Sequence, residues 1–344
     1  MSRPNMHLKK IYTERFYNNW PTWPLIYEWE DIFADFFKLE LADCMKAAVT
    51  TFYLDKILRY ISRKIFSDNR LLIFADKFIS KRTALYFELL PRSSFYFTGS
   101  KNTIPIIIDF SRNTDLQLFY NAYKNCKLVL IANLQAYNYL KSFNCPLNIY
   151  HLPQSISDKY RINPGSHFKK SFDLIIPGRV DSVLLEFLKA YEIKFPDIEY
   201  LYRENINGEF FYVSNKTSVR YRGQGREEYM DLLKASKAAL YSTVGIDGDA
   251  ARTGGFSPVT PRFLEMVSAG CHIIARYPVN EETQFFDLEK FCPSCENYLL
   301  FENELLKALL PGGPDLKFYE SYLAKHYTSE RAKQLKQILA LTPS

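Results

Sequence analysis

The stretch that decides the fold runs from Thr253 to Pro278 and reads TGGFSPVTPRFLEMVSAGCHIIARYP. It opens on glycines and prolines and becomes an apolar helix carrying one acid, Glu265. It then passes through Ala269-Gly270-Cys271 into a β-branched run ending at Arg276. Glycines let the backbone approach a ligand closely, and N–H groups near a helix start favour an anion. A diphosphate suits Arg252-Thr253-Gly254-Gly255-Phe256-Ser257. The loop alone is weak, because it lacks the P-loop lysine and the G-x-G-x-x-G spacing.

Glu265 sits among Phe263, Leu264, Met266 and Val267, where a lone carboxylate is costly unless partnered. One reading pairs it with Arg262, three residues earlier on the helix. The other has it accept hydrogen bonds from the two hydroxyls of a ribose. Gly270 allows tight packing of helix on strand.

Outward from this stretch, short apolar runs alternate with helical periodicity, which favours parallel sheets. In the first half, Ile26 to Leu41 reads as a helix. Leu71 to Phe74 reads as a strand ending at Asp76, Ile104 to Ile108 as one ending at Asp109, and Leu128 to Ala132 as a third, followed by a helix through Tyr137 and Tyr139. Pro, Gly, Ser and charge cluster over 153–170, as in an interdomain linker. A second series follows. Its strands are Phe172 to Ile176, Glu199 to Tyr202, Val219 to Tyr221, Ala238 to Ser242 and Cys271 to Ala275. Its helices are Ser182 to Ile193, Arg226 to Ser236 and Pro261 to Ala269. The tail, Tyr319 to Leu341, reads as helical. Two α/β halves with a cleft between them place two strand-end sites across one gap, which suits transfer between two substrates.

Arg179 ends the first strand of the second half at Pro177-Gly178-Arg179. A guanidinium there can clamp a diphosphate and stabilise a leaving group, or it is an ordinary surface arginine.

Four pieces in order resemble the donor-binding half of GT-B-fold glycosyltransferases, especially the family-4-like and CgeB-like groups. They are FDLIIPGRV (172–180), VRYRGQGREEYMDLLKASKAALYST (219–243), the opening stretch, and YLAKHYTSERAKQLKQIL (322–339). The likeness covers roughly residues 125–344. It implies an α/β GT-B fold of two Rossmann-like βαβ domains facing each other across a cleft. An acceptor domain would span 1–165, a donor domain 166–318, and a helical tail 319–344 would pack back across both. By the same resemblance Glu265 takes the place of the ribose-binding glutamate. Gly254, Gly255 and Phe256 fall in the diphosphate and sugar loop, with Arg252, Thr253, Ser257 and Arg262 around them, and Gly178 and Arg179 form the diphosphate clamp.

The pattern also departs from the family. Ser257 stands where a second glutamate is common, eight residues before Glu265, and Val180-Asp181-Ser182-Val183 offers no lysine; Arg222 or Arg252 are substitutes for that cation. Retention and inversion are both left open. Asp247-Gly248-Asp249 is a DxD string, read here as a solvated turn, and no metal is expected.

The resemblance implies a sugar passing from a nucleotide-sugar, acting as co-substrate with no cofactor, to a hydroxyl of a glycan or lipid-linked glycan. Bacterial surface-polysaccharide, capsule or lipopolysaccharide assembly is the implied setting. The base that deprotonates the acceptor is expected in the first half, from Asp109, Asp76 or His7. Trp20, Trp23, Tyr27 and Trp29 are candidates for stacking on sugars or for core packing. The rival readings are a nucleotide-sugar epimerase on a similar fold and a non-catalytic glycan- or nucleotide-binding module.

Composition narrows the setting. The net charge of +6 is uneven: residues 1–165 hold 22 Lys and Arg against 14 Asp and Glu, and the remainder 22 against 24. The basic half suits peripheral contact with an anionic membrane. It has no dense basic tract and no nucleic-acid motif, so nucleic acid is not an expected partner. No apolar run approaches the ~20 residues of a membrane span, and the N-terminus has no apolar leader. Six scattered cysteines are not a disulfide framework. Cys292-Pro293-Ser294-Cys295 has zinc-ribbon spacing without further ligands. The sum is a cytoplasmic protein.

Overall fold

In the computed structural model, residues 8–16, 18, 22–44, 83–92, 102–163, 165–223, 225–246, 248 and 250–342 are described. The chain divides into two units. Met1–Phe110, Thr114–Pro153 and Thr328–Ser344 make the first; Ser111–Asn113 and Gln154–Tyr327 make the second.

The first unit holds strands β1 (Leu8–Thr13), β2 (Glu40–Asp43), β3 (Thr83–Glu88), β4 (Thr103–Ile107), β5 (Val129–Ile131) and β6 (Ile149–His151). They form one sheet, in the order β2-β1-β3-β4-β5-β6, and every pairing is parallel. Parallel neighbours need long crossovers. Helices α1 (Trp23–Phe37), α2 (Leu116–Tyr123) and α3 (Leu134–Ser142) lie in those crossovers. Strands β3 and β4 are buried along their whole length, as strands covered on both faces must be.

Helix α1 begins and ends three to four residues earlier than the periodicity predicts. Pro24 suits its first turn, and Lys38 stops it in a left-handed conformation at φ 57°. Its buried face carries Ile26, Trp29 and Phe33. These pack in one core with Leu85 and Phe87 of β3 and with Leu335 and Ile338 of the last helix. Trp23 and Trp29 are therefore core residues, 5 % and 3 % exposed, rather than sugar platforms. Trp20, His7, Asp76 and the expected strand Leu71 to Phe74 lie outside the described residues.

The second unit holds β7 (Phe172–Ile175), α4 (Ser182–Lys194), β8 (Tyr200–Ile206), β9 (Glu209–Ser214), β10 (Arg220–Arg222), α5 (Arg226–Lys234) and β11 (Ser236–Ser242). The short α6 (Ala250–Thr253), α7 (Pro261–Ser268), β12 (His272–Arg276), α8 (Glu281–Phe285), α9 (Tyr298–Leu309) and α10 (Leu316–Leu323) follow. The sheet order is β10-β9-β8-β7-β11-β12. The four strands β8, β7, β11 and β12 run parallel, and β9 and β10 are added antiparallel at one edge.

Two expectations are corrected here. The second strand extends to Ile206 and turns back through Asn207-Gly208, both at positive φ (54° and 87°), into a strand that the periodicity missed. Asn-Gly is the sequence signature of a two-residue hairpin. The tail is also not one helix. The chain breaks after Leu323, and helix α11 (Thr328–Leu341) belongs to the first unit. Two Rossmann-like α/β units, with the last helix returned to the first, are consistent with the expected GT-B fold.

Candidate functional site

In the second unit the chain leaves β7 toward β8 on one side, while β11 lies on the other. Ligands of open α/β sheets bind beyond the C-terminal ends of strands at such a reversal. Two loops meet that description: Ile176 to Asp181 after β7, and Thr243 to Thr260 after β11.

The first loop carries Gly178 at φ 111°. A Cβ on it would lie 3.1 Å from Arg262 Nη1 and 3.7 Å from Arg203 Nη1. Arg262 donates to the carbonyls of Arg179 (2.8 Å) and Pro177 (3.4 Å). The Arg179 side chain itself is exposed. Two guanidinium groups, from β8 and from the start of α7, thus gather where β7 ends, and Arg179 follows next in the chain. Asp181 closes the loop: its backbone N–H donates to Ser242 Oγ at 2.9 Å, its carboxylate caps α4 at Val183, and Arg276 pairs with it. Loop, β11 and β12 are tied together at one edge.

The second loop winds through α6. Gly254 is left-handed at φ 64°, and a Cβ there would fall 2.7 Å from Asn113 Oδ1 and 2.8 Å from Asn113 N. Arg112 N–H donates to Thr253 O at 3.0 Å, and Asn113 Nδ2 to Ala251 O at 2.6 Å. Residues 111–113 therefore buttress the loop at close approach, which is why glycine is needed there. Arg252 and Gly255 are exposed, whereas Thr253, Phe256 and Ser257 are buried. Ser257 Oγ and Thr243 Oγ1 share a hydrogen bond of 2.6 Å. Asp247 and Asp249 lie outside the described residues.

Glu265 corrects an expectation. It does not pair with Arg262, whose guanidinium is drawn to the carbonyls after β7. Its Oε1 pairs with Arg226 Nη1 at 2.5 Å and its Oε2 accepts from the Tyr229 hydroxyl at 3.0 Å. The residue is 2 % exposed. Burial, and then the Glu265 charge, pushes the Tyr229 phenol well above its ordinary value, so it stays a neutral donor. Arg226 and Tyr229 sit on the first turn of α5, distant in sequence. Only the GREEY run at the helix start hinted at a basic partner.

Cys292 and Cys295 are buried at 1 % and 0 %, and each Sγ donates to the Pro293 carbonyl, at 3.0 Å and 3.7 Å. Among the described residues no group of three or more His, Cys, Asp or Glu could hold a metal ion. No helix among them is long and apolar enough to cross a membrane.

In the first unit, Asp109 follows β4 at the C-terminal edge of the sheet, half-buried, its N–H donating to Leu89 O at 2.8 Å. Sequence reasoning missed the larger feature at that edge. Glu14, Tyr86, Glu88, Arg92 and Tyr123 form one polar network there. No spacing links these positions, so only the fold reveals them.

No protein-family model matches the chain, and no curated protein matches it. Among solved structures, it is similar to sucrose-phosphate synthase from Thermosynechococcus elongatus. The identity is 14 % and the TM-score 0.40, covering 78 % of this chain and 68 % of that one. It is also similar to a UDP-forming α,α-trehalose-phosphate synthase from Burkholderia xenovorans, at 10 % identity and TM-score 0.46, covering 84 % and 86 %. A third likeness is to the glycosylation-associated protein Gap123 complex from Streptococcus agalactiae, at 14 % identity and TM-score 0.37, covering 76 % of this chain and 56 % of that one. These are distant likenesses of chain trace, and the chemistry of the site rests on its own residues.

Proposed function

We propose that the chain is a glycosyltransferase that moves a sugar from a nucleotide-sugar donor to a hydroxyl of a glycan or lipid-linked glycan. The observation that carries this is the convergence of the Arg203 and Arg262 guanidinium groups at Gly178, next to Arg179 in the chain, where β7 ends beside β11. A diphosphate is the anion whose charge and length suit several cations at a strand end. Arg179, exposed and next in the chain to Gly178, clamps it and stabilises the departing nucleoside diphosphate. With arginines in that role, transfer needs no metal ion.

The loop from Arg252 to Ser257 lies beside the donor sugar. Glu265, steadied by Arg226 and Tyr229, faces the ribose, whose hydroxyls use the lone pairs left on the two carboxylate oxygens. Asp109 takes the proton from the acceptor hydroxyl. The resemblance to family-4-like enzymes supports a role in bacterial surface-polysaccharide assembly. The basic first half suits work at an anionic membrane face. A non-catalytic nucleotide-binding module is the second reading, favoured by Ser257, whose hydroxyl is engaged with Thr243.

The test is a melting screen of UDP-, GDP-, ADP-, TDP- and CMP-sugars with EDTA present. A ligand that binds only the folded chain raises Tm through RT ln(1 + [L]/Kd). One nucleotide family should stabilise the wild type, and Arg179→Ala should lose that shift while melting as before. No shift from any donor in a cooperatively melting protein sinks the reading. A shift without release of nucleoside diphosphate, across an acceptor panel, favours the binding module.

A further inference from the structure

The first unit has its own reversal point. The chain leaves β1 toward β2 on one side, and β3 lies on the other. Glu14 follows β1, Tyr86 and Glu88 lie on β3, and Arg92 comes just beyond it. Glu14 Oε1 accepts from the Tyr86 hydroxyl and from Arg92 Nη2, the latter at 2.5 Å, and its Oε2 accepts from Asn18 Nδ2 at 3.0 Å. Arg92 Nε pairs with Glu88 at 3.0 Å, and Glu88 Oε2 accepts from the Tyr123 hydroxyl at 2.5 Å. The ring of Tyr86 lies 5.6 Å from the guanidinium carbon.

Glu88 is fully buried and Glu14 is 7 % exposed, while 37 % of the Arg92 side chain is open to solvent. One guanidinium is therefore held on two nitrogens by two carboxylates, and Nη1 takes part in none of these contacts. A solvated arginine needs no such frame. Desolvating two carboxylates for one cation is costly, and the arrangement makes sense where it fixes a group for use.

We propose that this network binds an uncharged sugar ring through its hydroxyls, with Arg92 and Glu14 touching the ring and Glu88 acting as the positioning residue for Arg92. The charge balance argues for the ligand class. Two carboxylates flank the one guanidinium of this network, so a phosphate or carboxylate would meet a negative charge beside Arg92. A hydroxyl both donates and accepts. Neighbouring ring hydroxyls can give to Glu14 and receive from Arg92 at once. Glu14 stands at the end of β1, and Glu88, which holds Arg92, at the end of β3. The inference names the acceptor class for the transfer proposed above and rests on that reading.

Burial pushes the Glu88 carboxyl up to about 7, against the pull of Tyr123 and Arg92. Among the described residues, the titratable groups that face it are Glu14, Tyr86, Arg92, Tyr123 and Cys126. Protonating Glu88 removes one of the two carboxylates that orient Arg92.

The experiment is saturation-transfer NMR on the full chain without nucleotide-sugar. The probes are methyl glycosides of glucose, galactose, mannose and N-acetylglucosamine, beside the matching hexose 6-phosphates. At least one neutral glycoside should bind, and the phosphates should not. Arg92→Lys keeps the charge and loses the planar fork; it should weaken binding at least tenfold while melting cooperatively. Lys38→Ala, on an exposed side chain, should not change it. Wild-type affinity should fall between pH 8 and pH 6, and Glu88→Gln should flatten that profile, which a merely structural role would leave in place. Silence from every glycoside, or phosphate binding that survives in Arg92→Lys, overturns the inference. Nucleotide-sugar melting shifts with no glycoside binding sink only this inference, whereas glycoside binding with no donor shift sinks the transfer reading instead.

Discussion

Arg226 Nη1 and Glu265 Oε1 stand 2.5 Å apart, with 14 % and 3 % of their side chains exposed. The pair joins the first turn of α5 to the middle of α7. Breaking a buried pair by removing one partner strands the other charge and costs about 3–5 kcal/mol, whereas replacing both with apolar groups is often neutral. Arg226→Ala and Glu265→Ala should each destabilise by about that much. Arg226→Met combined with Glu265→Leu should recover most of the loss. Urea denaturation followed by circular dichroism checks this. Additive losses in the double variant would show that the pair is not coupled. The same cost makes Glu265→Ala a poor probe of donor binding, and Arg179→Ala the better one.

Gly254→Ala should loosen the glycine loop. The residue is at φ 64°, and its new Cβ would collide with backbone and side chain of Asn113 and with Arg112 Cβ. Left-handed strain alone costs of order 1–3 kcal/mol, and the clash adds to it. Gly255→Ala meets nothing within 4 Å and should cost less, although its φ is also positive. Comparing the two variants by thermal denaturation separates the clash from the strain common to both.

Two carboxyls set a pH dependence in the first unit. Burial raises Glu30 and Glu88 to about 7 from an ordinary 4.5. The unfolded chain releases these protons from about pH 4.5, and the folded chain holds them until about 7. The folded state thus binds more protons in that window, and their contribution to stability is lost as pH rises through it. The cost of each carboxyl is roughly 3 kcal/mol by pH 8. Glu88→Gln should therefore gain on the wild type as pH climbs from 5 to 7. All three tryptophans lie at positions 20, 23 and 29 in the first unit, so their fluorescence reads this unit. A constant difference between wild type and variant across that range would refute the assignment.

Ending the chain after Tyr327 should destabilise the first unit. Ala332, Leu335, Ile338 and Leu339 of α11 share a core with Ile26, Trp29 and Phe33 of α1. Removing them uncovers buried apolar surface worth about 25 cal/mol per Å². Tryptophan fluorescence should show a lower urea midpoint for the truncated chain. An unchanged midpoint would mean that α11 contributes little to that core.

Local pattern was enough to specify several elements. The run from Thr253 to Pro278 folds as loop, helix and strand, because glycine, proline and β-branched residues act on their own neighbourhood. Strand β7, its Gly178-Arg179 end and the α/β class were legible in the same way. The Asn207-Gly208 hairpin carried a readable signal that the periodicity reading passed over. What tertiary structure alone decided were the partners. Arg262 and Glu265 stand three apart on one helix, yet the carbonyls after β7 draw the arginine away, and α5 supplies Arg226 instead. Glu14, Glu88 and Arg92 meet only because β1 and β3 lie side by side. A pairing across a fold depends on which surfaces folding brings together, and one stretch of chain carries no record of the surface that will face it.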